Sequence, residues 1–501
     1  MEKSIIIIGA GIAGLSAGCY GQMNGYRTQI FELHDKPGGL CTSWKRKGYT
    51  IDACLDWLVG SSPGNGFYRI WQELGALQGR RIINHEEFIS IEGEQGQVFV
   101  VYTDVDKLEQ HMKELAPQDK KIIEKFTNAV RACARVDLPI DKAPELYGPL
   151  DGPRIMTKML PFLQIMRSWK GISIQDFAQE FKDPFLRQVF PLTFNLPDFP
   201  MLAVLMTLAW MYQKSAGFPE GGSLEFSRAI EQRYLNLGGE IHYRSPVSKI
   251  LVQNGKSVGV RLADGTEHRG DIVISAADGH ATIFQMLDGK YIDKKVQEYY
   301  EQLPIFSPLI QVSLGVARSF QGEPCLLLYH LKQPATIAGK EEKLLGVQIY
   351  NFDATLAPPG KTVLEVKFLS DYEYWKNLKQ EPKRYKAEKE KIANQVINLL
   401  DQRFPGLAGQ VEMRDVATPM TWERYTGNWR ASFEGWLVTT RTFGMSMSKT
   451  LPGLRNFYMC GQWVEPGGGV PSAALSARNL IQVICKRDRK SFVVNIPSAR
   501  S

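Results

Sequence analysis

The hydrophobic pattern at the start of the chain alternates between continuous apolar runs and a helical repeat. Residues 4–8 form an unbroken β-branched run, which is typical of a strand buried on both faces of a parallel sheet. Apolar residues then recur at helical spacing from Ala13 to Met23, and Gly25 provides a natural helix end. A second strand is predicted over residues 28–33. The pattern predicts a strand–helix–strand unit.

Glycines fall where the first strand meets the helix. Gly9, Gly11 and Gly14 form G-x-G-x-x-G, and Glu32 closes the second strand. Gly9 permits the tight turn, Gly11 lets the backbone approach a pyrophosphate, and Gly14 lets the helix pack on the strand. Glu32 would bind the adenosine ribose and disfavour a 2′-phosphate. Because all elements occur in order, they predict a dinucleotide-binding site and not a secretory signal.

Further elements of an α/β fold follow much later in the chain. A helix is predicted over 224–237, a strand leading to Val247, and a hairpin of strands 258–262 and 267–274 joined by Asp264-Gly265. Near the C-terminus, a strand over 456–460 runs into a loop with three consecutive glycines, and a helix over 472–485 follows. The positive end of a helix dipole, placed behind glycine backbone that has no side chains, would stabilise an electron-rich ring.

Composition and charge narrow the class of protein. With 501 residues, two or more lobes are expected. The net charge of +7 is mild and scattered, so nucleic acid is not expected as a partner. The seven cysteines are widely spaced without a C-x-x-C pair, which argues against a disulfide framework or a metal site and favours a reducing, cytoplasmic location. The apolar run 201–212 is too short to span a bilayer.

Three motifs resemble one known family. The segment from Glu32 through Pro37-Gly38-Gly39 is similar to the diglycine motif of FAD-dependent amine oxidases and phytoene desaturases, although Leu40 stands where the family usually has Arg. Residues 219–222 resemble the family's P-x-G-G segment, and residues 461–471 resemble its C-terminal glycine run. The chain is thus similar to phytoene dehydrogenase-like proteins, which include phytoene desaturases, carotenoid isomerases and retinol saturases.

The resemblance implies an α/β fold with two parts. A Rossmann-like FAD-binding domain, with a parallel sheet and helices on both faces, would be assembled from the discontinuous segments 1–102, 217–290 and 411–490. Segments 103–216 and 291–410 would form a mixed α+β substrate domain with a helical lid. Residues 491–501 would be a C-terminal tail. The resemblance and the glycine patterns together place the FAD contacts at Gly9, Gly11, Ala13, Gly14, Glu32, Gly38, Gly39, Leu40, Val247, Ala276, Asp278, Gly461, Gly468, Gly469 and Val470.

The function expected from the resemblance is FAD-dependent hydride transfer at flavin N5 to or from an apolar, isoprenoid or polyene substrate. Desaturation, saturation and flavin-assisted isomerisation all remain open. Since no second glycine fingerprint follows a strand, oxygen or a quinone is expected as electron acceptor. Two alternatives stay open: an amine oxidase, and a non-catalytic FAD-bound scaffold that binds lipid.

Reactive side chains are harder to predict from the sequence. Asp56 and Glu465 lie near expected cofactor loops and could move protons or simply hold the loops in place. Met and aromatic residues crowd the region 156–212, which fits either a packed core or a cavity for an apolar ligand. Basic residues flank its first apolar segment and recur near the C-terminus, so a membrane surface is a further possible partner. These are Arg154, Lys158, Arg167, Lys170, Lys486, Arg487, Arg489 and Lys490.

Overall fold

The computed structural model describes residues 2–196 and 198–497, apart from the side chains at positions 154, 158 and 161. The strands, in chain order, are β1 (Ser4–Ile8), β2 (Arg27–Phe31), β3 (Ser43–Arg46), β4 (Tyr49–Asp52), β5 (Leu58–Val59), β6 (Ile82–Ile83), β7 (Glu87–Glu92), β8 (Val98–Tyr102), β9 (Ala216–Pro219), β10 (Glu240–His242), β11 (Val247–Gln253), β12 (Lys256–Leu262), β13 (Glu267–Arg269), β14 (Ile272–Ser275), β15 (Leu309–Val316), β16 (Leu326–Ile337), β17 (Lys340–Ile349), β18 (Thr362–Leu369), β19 (Val411–Ala417) and β20 (Phe457–Met459).

The α-helices cover both of the expected parts of the chain. In chain order they are α1 (Ile12–Met23), α2 (Gly66–Glu73), α3 (Val105–Leu115), α4 (Lys120–Cys133), α5 (Asp151–Trp169), α6 (Ile174–Ala178), α7 (Pro184–Val189), α8 (Met201–Tyr212), α9 (Gly222–Asn236), α10 (Lys294–Gln302), α11 (Tyr372–Leu378), α12 (Pro382–Arg403), α13 (Pro419–Thr426) and α14 (Gly469–Arg487). No helix of the described residues is long and apolar enough to cross a membrane.

A parallel sheet in the order β10-β2-β1-β14-β20 forms the nucleotide unit. Ile5 and Ile7 of β1 share a buried cluster with residues of α1, α9 and α14. The alternate side chains, Ile6 and Ile8, pack instead against residues of β11 and β12. The α/β fold is therefore as predicted, but an antiparallel sheet covers the face where further helices were expected, because the β11–β12 hairpin turns apolar side chains toward β1.

A second sheet carries the other part of the molecule, in the order β19-β15-β18-β17-β16-β7-β8. Its strands pair antiparallel except β16 with β7. α12 packs on this sheet through a buried apolar cluster. A helical layer that includes α4, α6 and α8 packs against β7 and β8. Strands from 87–102 and 411–417, which the sequence analysis assigned to the nucleotide unit, thus pair in the second sheet.

One predicted strand is two strands in the structure. The run 267–274 has the pattern of a single strand, yet β13 pairs with β12 while β14 pairs with β1 and β20. The chain changes sheets at Gly270, whose N–H donates to Val258 O at 3.1 Å, while the next N–H, of Asp271, donates to Ser4 O at 3.1 Å. This change carries β14 into the centre of the parallel sheet, where its carboxyl end meets the glycine turn.

Candidate functional site

The first glycine turn lies at the carboxyl end of β1. Gly9 has φ +96°, and a Cβ at Gly14 would overlap the carbonyl oxygen of Gly9. A Cβ at Gly14 would also lie 3.4 Å from Cβ of Ala276, at the end of β14. The N-terminus of α1 thus rests on two strand ends, as the motif requires. Gly11 faces open space, since a Cβ added there would meet Gly38 O at 3.9 Å and no other described atom within 4 Å.

The diglycine loop lies directly on this turn. Gly38 N–H donates to Ala10 O at 2.9 Å, and Gly11 and Gly38 form an isolated β-bridge. A Cβ at Gly39 would lie 3.3 Å from Cα of Gly11. Two glycine loops therefore present adjacent bare backbone, which fits a phosphate-bearing cofactor. Leu40 is half-buried beside the cluster of Ala417, Trp422 and Ala431, so it packs with apolar residues at the position where the family has Arg.

Glu32 lies at the end of β2 and is 5% exposed. Its carboxylate accepts the N–H of Ala10 at 2.6 Å and the N–H of His34 at 2.8 Å. Burial raises the pKa of this carboxyl, and the two backbone donors oppose the rise. The side chain is thereby fixed at the edge of the glycine turn, the position from which the motif binds a ribose.

The end of β14 and the start of β11, which the sequence predicts to lie near the cofactor, are at the same edge of the parallel sheet as Glu32. Ala276 N–H donates to Ile8 O at 3.0 Å, and Ser245 N–H, just before β11, donates to Glu32 O at 2.8 Å. Val247 begins β11 close to this contact. Asp278 is 4% exposed and accepts the N–H groups of Ala281 and Trp429. Burial raises its pKa to about 7, and the backbone donors that this carboxyl orders oppose the rise.

The C-terminal glycine run opens α14. Gly467, Gly468 and Gly469 all have positive φ, of +95°, +47° and +78°. A Cβ at Gly468 would overlap the side chain of Glu434. Gly461, at the end of β20, lies beside α1, where its Cβ would be 3.2 Å from Cβ of Ala13. The structure thus brings Ala13, Gly461 and the first glycine turn together, and Val470 shares the buried cluster of Ala13, while Gly468 and Gly469 form an edge beside Glu434.

A cluster of ionisable side chains adjoins that edge. Of its members, Asp56 was predicted from the sequence and the others were not. Lys367 Nζ lies 3.6 Å from Asp56 and 4.0 Å from Glu365, and Glu365 accepts a hydrogen bond from Tyr350 at 3.2 Å. Burial raises the pKa of Glu365 to about 8, and burial, followed by Asp56, raises that of Glu434 to about 8. Burial lowers the pKa of Lys367, but Asp56 and Glu365 outweigh it and raise the pKa overall.

Two of the residues that were not predicted could have been recognised from the sequence. Glu365 and Lys367 occur two positions apart in β18, within the apolar run TVLEVKFL. Side chains at such spacing share one face of a strand. An acid and a base on one face of an otherwise apolar strand indicate an enclosed ion pair. Glu434 has no such context, since it lies in a loop.

A cavity of about 470 Å³ opens beside Asp56. Its volume falls within the range of roughly 300–1,000 Å³ that small-molecule sites occupy. Half-buried and buried apolar side chains line part of it: Trp57, Phe88, Met211, Tyr212, Ala216 and Leu326. Exposed polar residues form another part: Asn84, Glu86, Asp104, Lys107 and Lys214. The cavity thus has an apolar portion, a polar exposed portion, and one carboxylate of the ionisable cluster in its wall.

The second predicted reactive residue has a different environment. Glu465 pairs with Lys449 at 3.2 Å, and Lys449 pairs with Glu145 at 2.5 Å. Lys449 is 8% exposed. Burial raises the pKa of Glu465, and Lys449 opposes the rise. This network ties the glycine run to the segment before α5, which is a positioning role.

Comparison with known proteins agrees with this geometry. The family model described as flavin containing amine oxidoreductase matches residues 12–484. The chain belongs to this family. It is 25% identical to the chloroplastic prolycopene isomerase of Daucus carota, over 95% of this chain and 78% of the relative. It is 24% identical to the lycopene-forming phytoene desaturase of Pseudescherichia vulneris, over 95% of this chain and 98% of the relative.

A solved structure shares the fold. An oxidoreductase from Methanosarcina mazei superposes with a TM-score of 0.62 at 19% identity, covering 96% of this chain and 100% of the other. Within the family the chain is a flavin-dependent oxidoreductase related to phytoene desaturases and carotenoid isomerases. The overlapping Cβ positions at Gly14 and Gly468 and the stacked glycine loops fit the flavin that the family binds.

Proposed function

We propose that the chain binds FAD and acts on an apolar isoprenoid or polyene substrate, by desaturation, saturation or flavin-assisted isomerisation. When bound, FAD would supply a hydride acceptor or donor at N5 beside one carbon of the substrate. The named relatives act on or form such polyenes, according to their names. The observation that carries the proposal is the cavity whose apolar portion adjoins Asp56.

Different groups of residues would bind different parts of FAD. The glycine loops at Gly9–Gly14 and Gly38–Gly39 would hold the pyrophosphate by backbone N–H groups and the N-terminus of α1. Glu32 would accept the ribose hydroxyls. The glycine run before α14 would direct its helix dipole at the pyrimidine edge of the flavin.

The cavity side chains would orient the substrate. Trp57, Phe88 and Leu326 would pack along an extended hydrocarbon and exclude water from the reacting carbon. Lys367 and Asp56 would hold or move a proton beside the cavity wall, because their charges lie 3.6 Å apart and both side chains are partly exposed. A delocalised polyene demands little else from side chains.

The first experiment is the absorption spectrum of the purified protein and of the cofactor that heat releases. Released FAD would establish the cofactor. Anaerobic addition of polyenes with graded numbers of double bonds should then bleach the flavin band, or reduced enzyme should convert them. A flavin-loaded protein that no polyene bleaches, reoxidises or isomerises would contradict the substrate class.

An amine is the second candidate substrate, because carboxylates concentrate near the cavity. Asp56 lies in its wall, and Glu434 and Glu365 respond electrostatically to Asp56. Because the pKa values of Glu365 and Glu434 are raised to about 8 and Lys367 pairs with Asp56, this site would attract a protonated amine mainly above about pH 8. Anaerobic bleaching by primary amines, lost in Asp56→Asn but kept in the matched surface variant Asp264→Asn, would favour the amine over the polyene.

Oxygen or a quinone is the proposed electron acceptor. The support is the sequence, in which no second glycine fingerprint provides a nicotinamide domain. Stopped-flow mixing of the reduced enzyme with oxygen, a soluble quinone or nicotinamide should show fast reoxidation with one of the first two. Faster reaction with oxidised nicotinamide would contradict the proposal.

A lipid surface is the proposed source of an apolar substrate. Met156, Leu160 and Leu163 lie on one face of α5 and are 58%, 55% and 40% exposed. Leu150, just before this helix, is 91% exposed. Arg167 and Lys170 are exposed at its other end, while the side chains of Arg154 and Lys158 lie outside the described residues.

Cosedimentation with vesicles tests this surface. Vesicles of phosphatidylglycerol should carry down more protein than vesicles of phosphatidylcholine, because basic residues flank the apolar face. Leu160→Glu should abolish the difference, whereas Leu235→Glu, at a residue 42% exposed on α9, should not. Equal recovery in the supernatant with and without vesicles would contradict the proposal.

A further inference from the structure

Two cysteines oppose each other at the open end of the β3–β4 hairpin. The register pairs Ser43 with Asp52, and its continuation pairs Thr42 with Ala53 and Cys41 with Cys54. Ala53 N–H donates to Thr42 O at 3.1 Å, so the ladder extends to this point. Both cysteines are free thiols.

The geometry of this ladder suits a disulfide. Ala53 N–H donates to Thr42 O, whereas Thr42 N–H donates to Leu40 O at 2.9 Å, so the ladder ends here with one bond of a hydrogen-bonded pair. Cys41 and Cys54 come next, where a continued ladder would bring opposite Cα atoms to about 4.5 Å. Disulfides span Cα separations of about 4.4–6.8 Å. Cys41 is the main cause of the raised pKa of the Cys54 thiol, so the two side chains are neighbours.

The pair lies along the expected course of the cofactor. Cys41 N–H donates to Gly38 O at 3.0 Å, which closes the diglycine loop, and its thiol donates to Ser223 O at 3.6 Å. Cys54 lies on the other side, where it interacts electrostatically with Glu434, the residue that contacts the glycine run of α14. Any link between the two sulfurs would therefore fix the diglycine loop relative to the hairpin.

We propose that Cys41 and Cys54 form a reversible disulfide that fixes the diglycine loop and, on the basis of the proposed FAD site, slows release of the flavin. Cys41 is 2% exposed, whereas Cys54 is partly exposed and is the thiol that an oxidant reaches first. Hydrogen peroxide converts the Cys54 thiol to a sulfenic acid with release of one water, and the Cys41 thiol then displaces the second water. Two thiols thus lose two electrons and two protons, and one peroxide becomes two waters.

The chemistry of thiols determines how the disulfide would be reduced and how its rate of formation depends on pH. A small dithiol reduces the disulfide by exchange and restores both thiols. The hydrogen bond to Cys41 and burial raise the pKa of the Cys54 thiol. Since the thiolate is the form that peroxide oxidises, the bond should form faster as the pH rises above neutrality.

Mapping the bond tests its formation. Flavin-loaded protein is treated with peroxide, its remaining thiols are alkylated, and a non-reducing tryptic digest is analysed by mass spectrometry. Because Lys45, Arg46 and Lys47 separate the two cysteines, trypsin places them in peptides 28–45 and 48–69. We expect these peptides to be linked and to separate after reduction. Oxidation that leaves them unlinked, or links them to other cysteines equally often, would overturn the proposal.

Flavin release tests the consequence. The oxidised protein should lose flavin several-fold more slowly on ultrafiltration than the reduced protein, and a dithiol should abolish the difference. Cys54→Ser should show no redox dependence, whereas Cys325→Ser, another partly exposed cysteine, should retain it. A linked pair with unchanged flavin release would overturn the proposed effect on the cofactor. The wild-type measurements decide the matter even if a variant fails to fold.

Discussion

The two ends of the expected cofactor path are built from different groups. At the adenosine end, the stacked glycine loops present backbone, and Glu32 is the ionisable side chain predicted to contact the ribose. At the flavin end, Glu434 adjoins the glycine run, and Lys367, Asp56 and Glu365 form an ionisable cluster that reaches from the buried Glu365 to the partly exposed Asp56. In the proposed function, backbone geometry would recognise the cofactor, whereas ionisable side chains would adjust the reactivity of the flavin toward its substrate.

The comparison predicts that damage at one end removes the cofactor and damage at the other end leaves the cofactor in place but slows the chemistry. Flavin content and the rate of flavin reduction therefore separate the two ends.

The largest effect is expected for Gly14→Ala. Its Cβ would overlap Gly9 O, so the turn must move, at a cost of about 3 kcal/mol or more. That corresponds to roughly a hundredfold weaker flavin binding or more. The ratio of flavin to protein absorbance after purification measures it. Gly152→Ala, where no described atom lies within 4 Å of the added Cβ, is the control. A fully loaded Gly14→Ala protein would refute the glycine-based interpretation of the adenosine end.

Lys367→Met should affect the flavin end of the expected cofactor path. It leaves Asp56 and Glu365 without the nearby cation, while the glycine loops are untouched. We expect normal flavin content and a rate of flavin reduction about 10- to 100-fold lower, at or below the usual range for a lost proton-transfer group. Anaerobic stopped-flow spectroscopy measures this rate, with the exposed Lys340→Met as control. Loss of flavin together with activity would mean that the cluster is structural.

Glu32→Gln should weaken flavin binding about tenfold, because a charge-assisted hydrogen bond becomes a neutral one. The Gln amide would also meet the backbone donors of Ala10 and His34 less favourably. Fluorescence titration of the deflavinated protein measures the affinity, and the exposed Glu240→Gln is the control. Unchanged affinity would place the ribose elsewhere.

The smallest effect concerns stability and pH. The pKa of Glu365 rises from its ordinary value of 4.5 to about 8, so the folded state binds this proton more tightly than the unfolded state. Its contribution is therefore fully favourable below about pH 4.5 and is lost as the pH rises toward about 8. The Tm of the wild type should therefore fall as the pH rises from about 6 to about 8.5. In Glu365→Gln this fall should be smaller by a few degrees. Differential scanning fluorimetry measures it, and Glu341→Gln should behave like the wild type.

The adenosine end was predictable because its constraints are local. A buried strand, a glycine turn and a helix occupy consecutive residues, and the structure places them at Ser4–Ile8 and Ile12–Met23. The apolar run 201–212 coincides with α8 for the same reason, since its twelve residues form one uninterrupted segment. The roles of the predicted cofactor contacts stay predictions.

The flavin end was not predictable because its members meet only through tertiary structure. Asp56, Glu365 and Glu434 come from a loop, a strand and another loop that are far apart in the chain. Likewise, nothing in the run 267–274 reveals that its halves join different sheets. The first half pairs within its own hairpin, at Val258, whereas the second half pairs with Ser4 at the start of the chain.

The parallel sheet also has a consequence for synthesis of the protein on the ribosome. β1 is translated first, but its neighbour β14 and the outer strand β20 arrive after residues 272 and 457, and α14, which packs on α1, ends at Arg487. At about 5–20 residues per second, the N-terminal strand waits roughly tens of seconds for these partners. During that time β1 can pair with β2 alone, so the edge of β1 that later meets β14 stays open to mispairing.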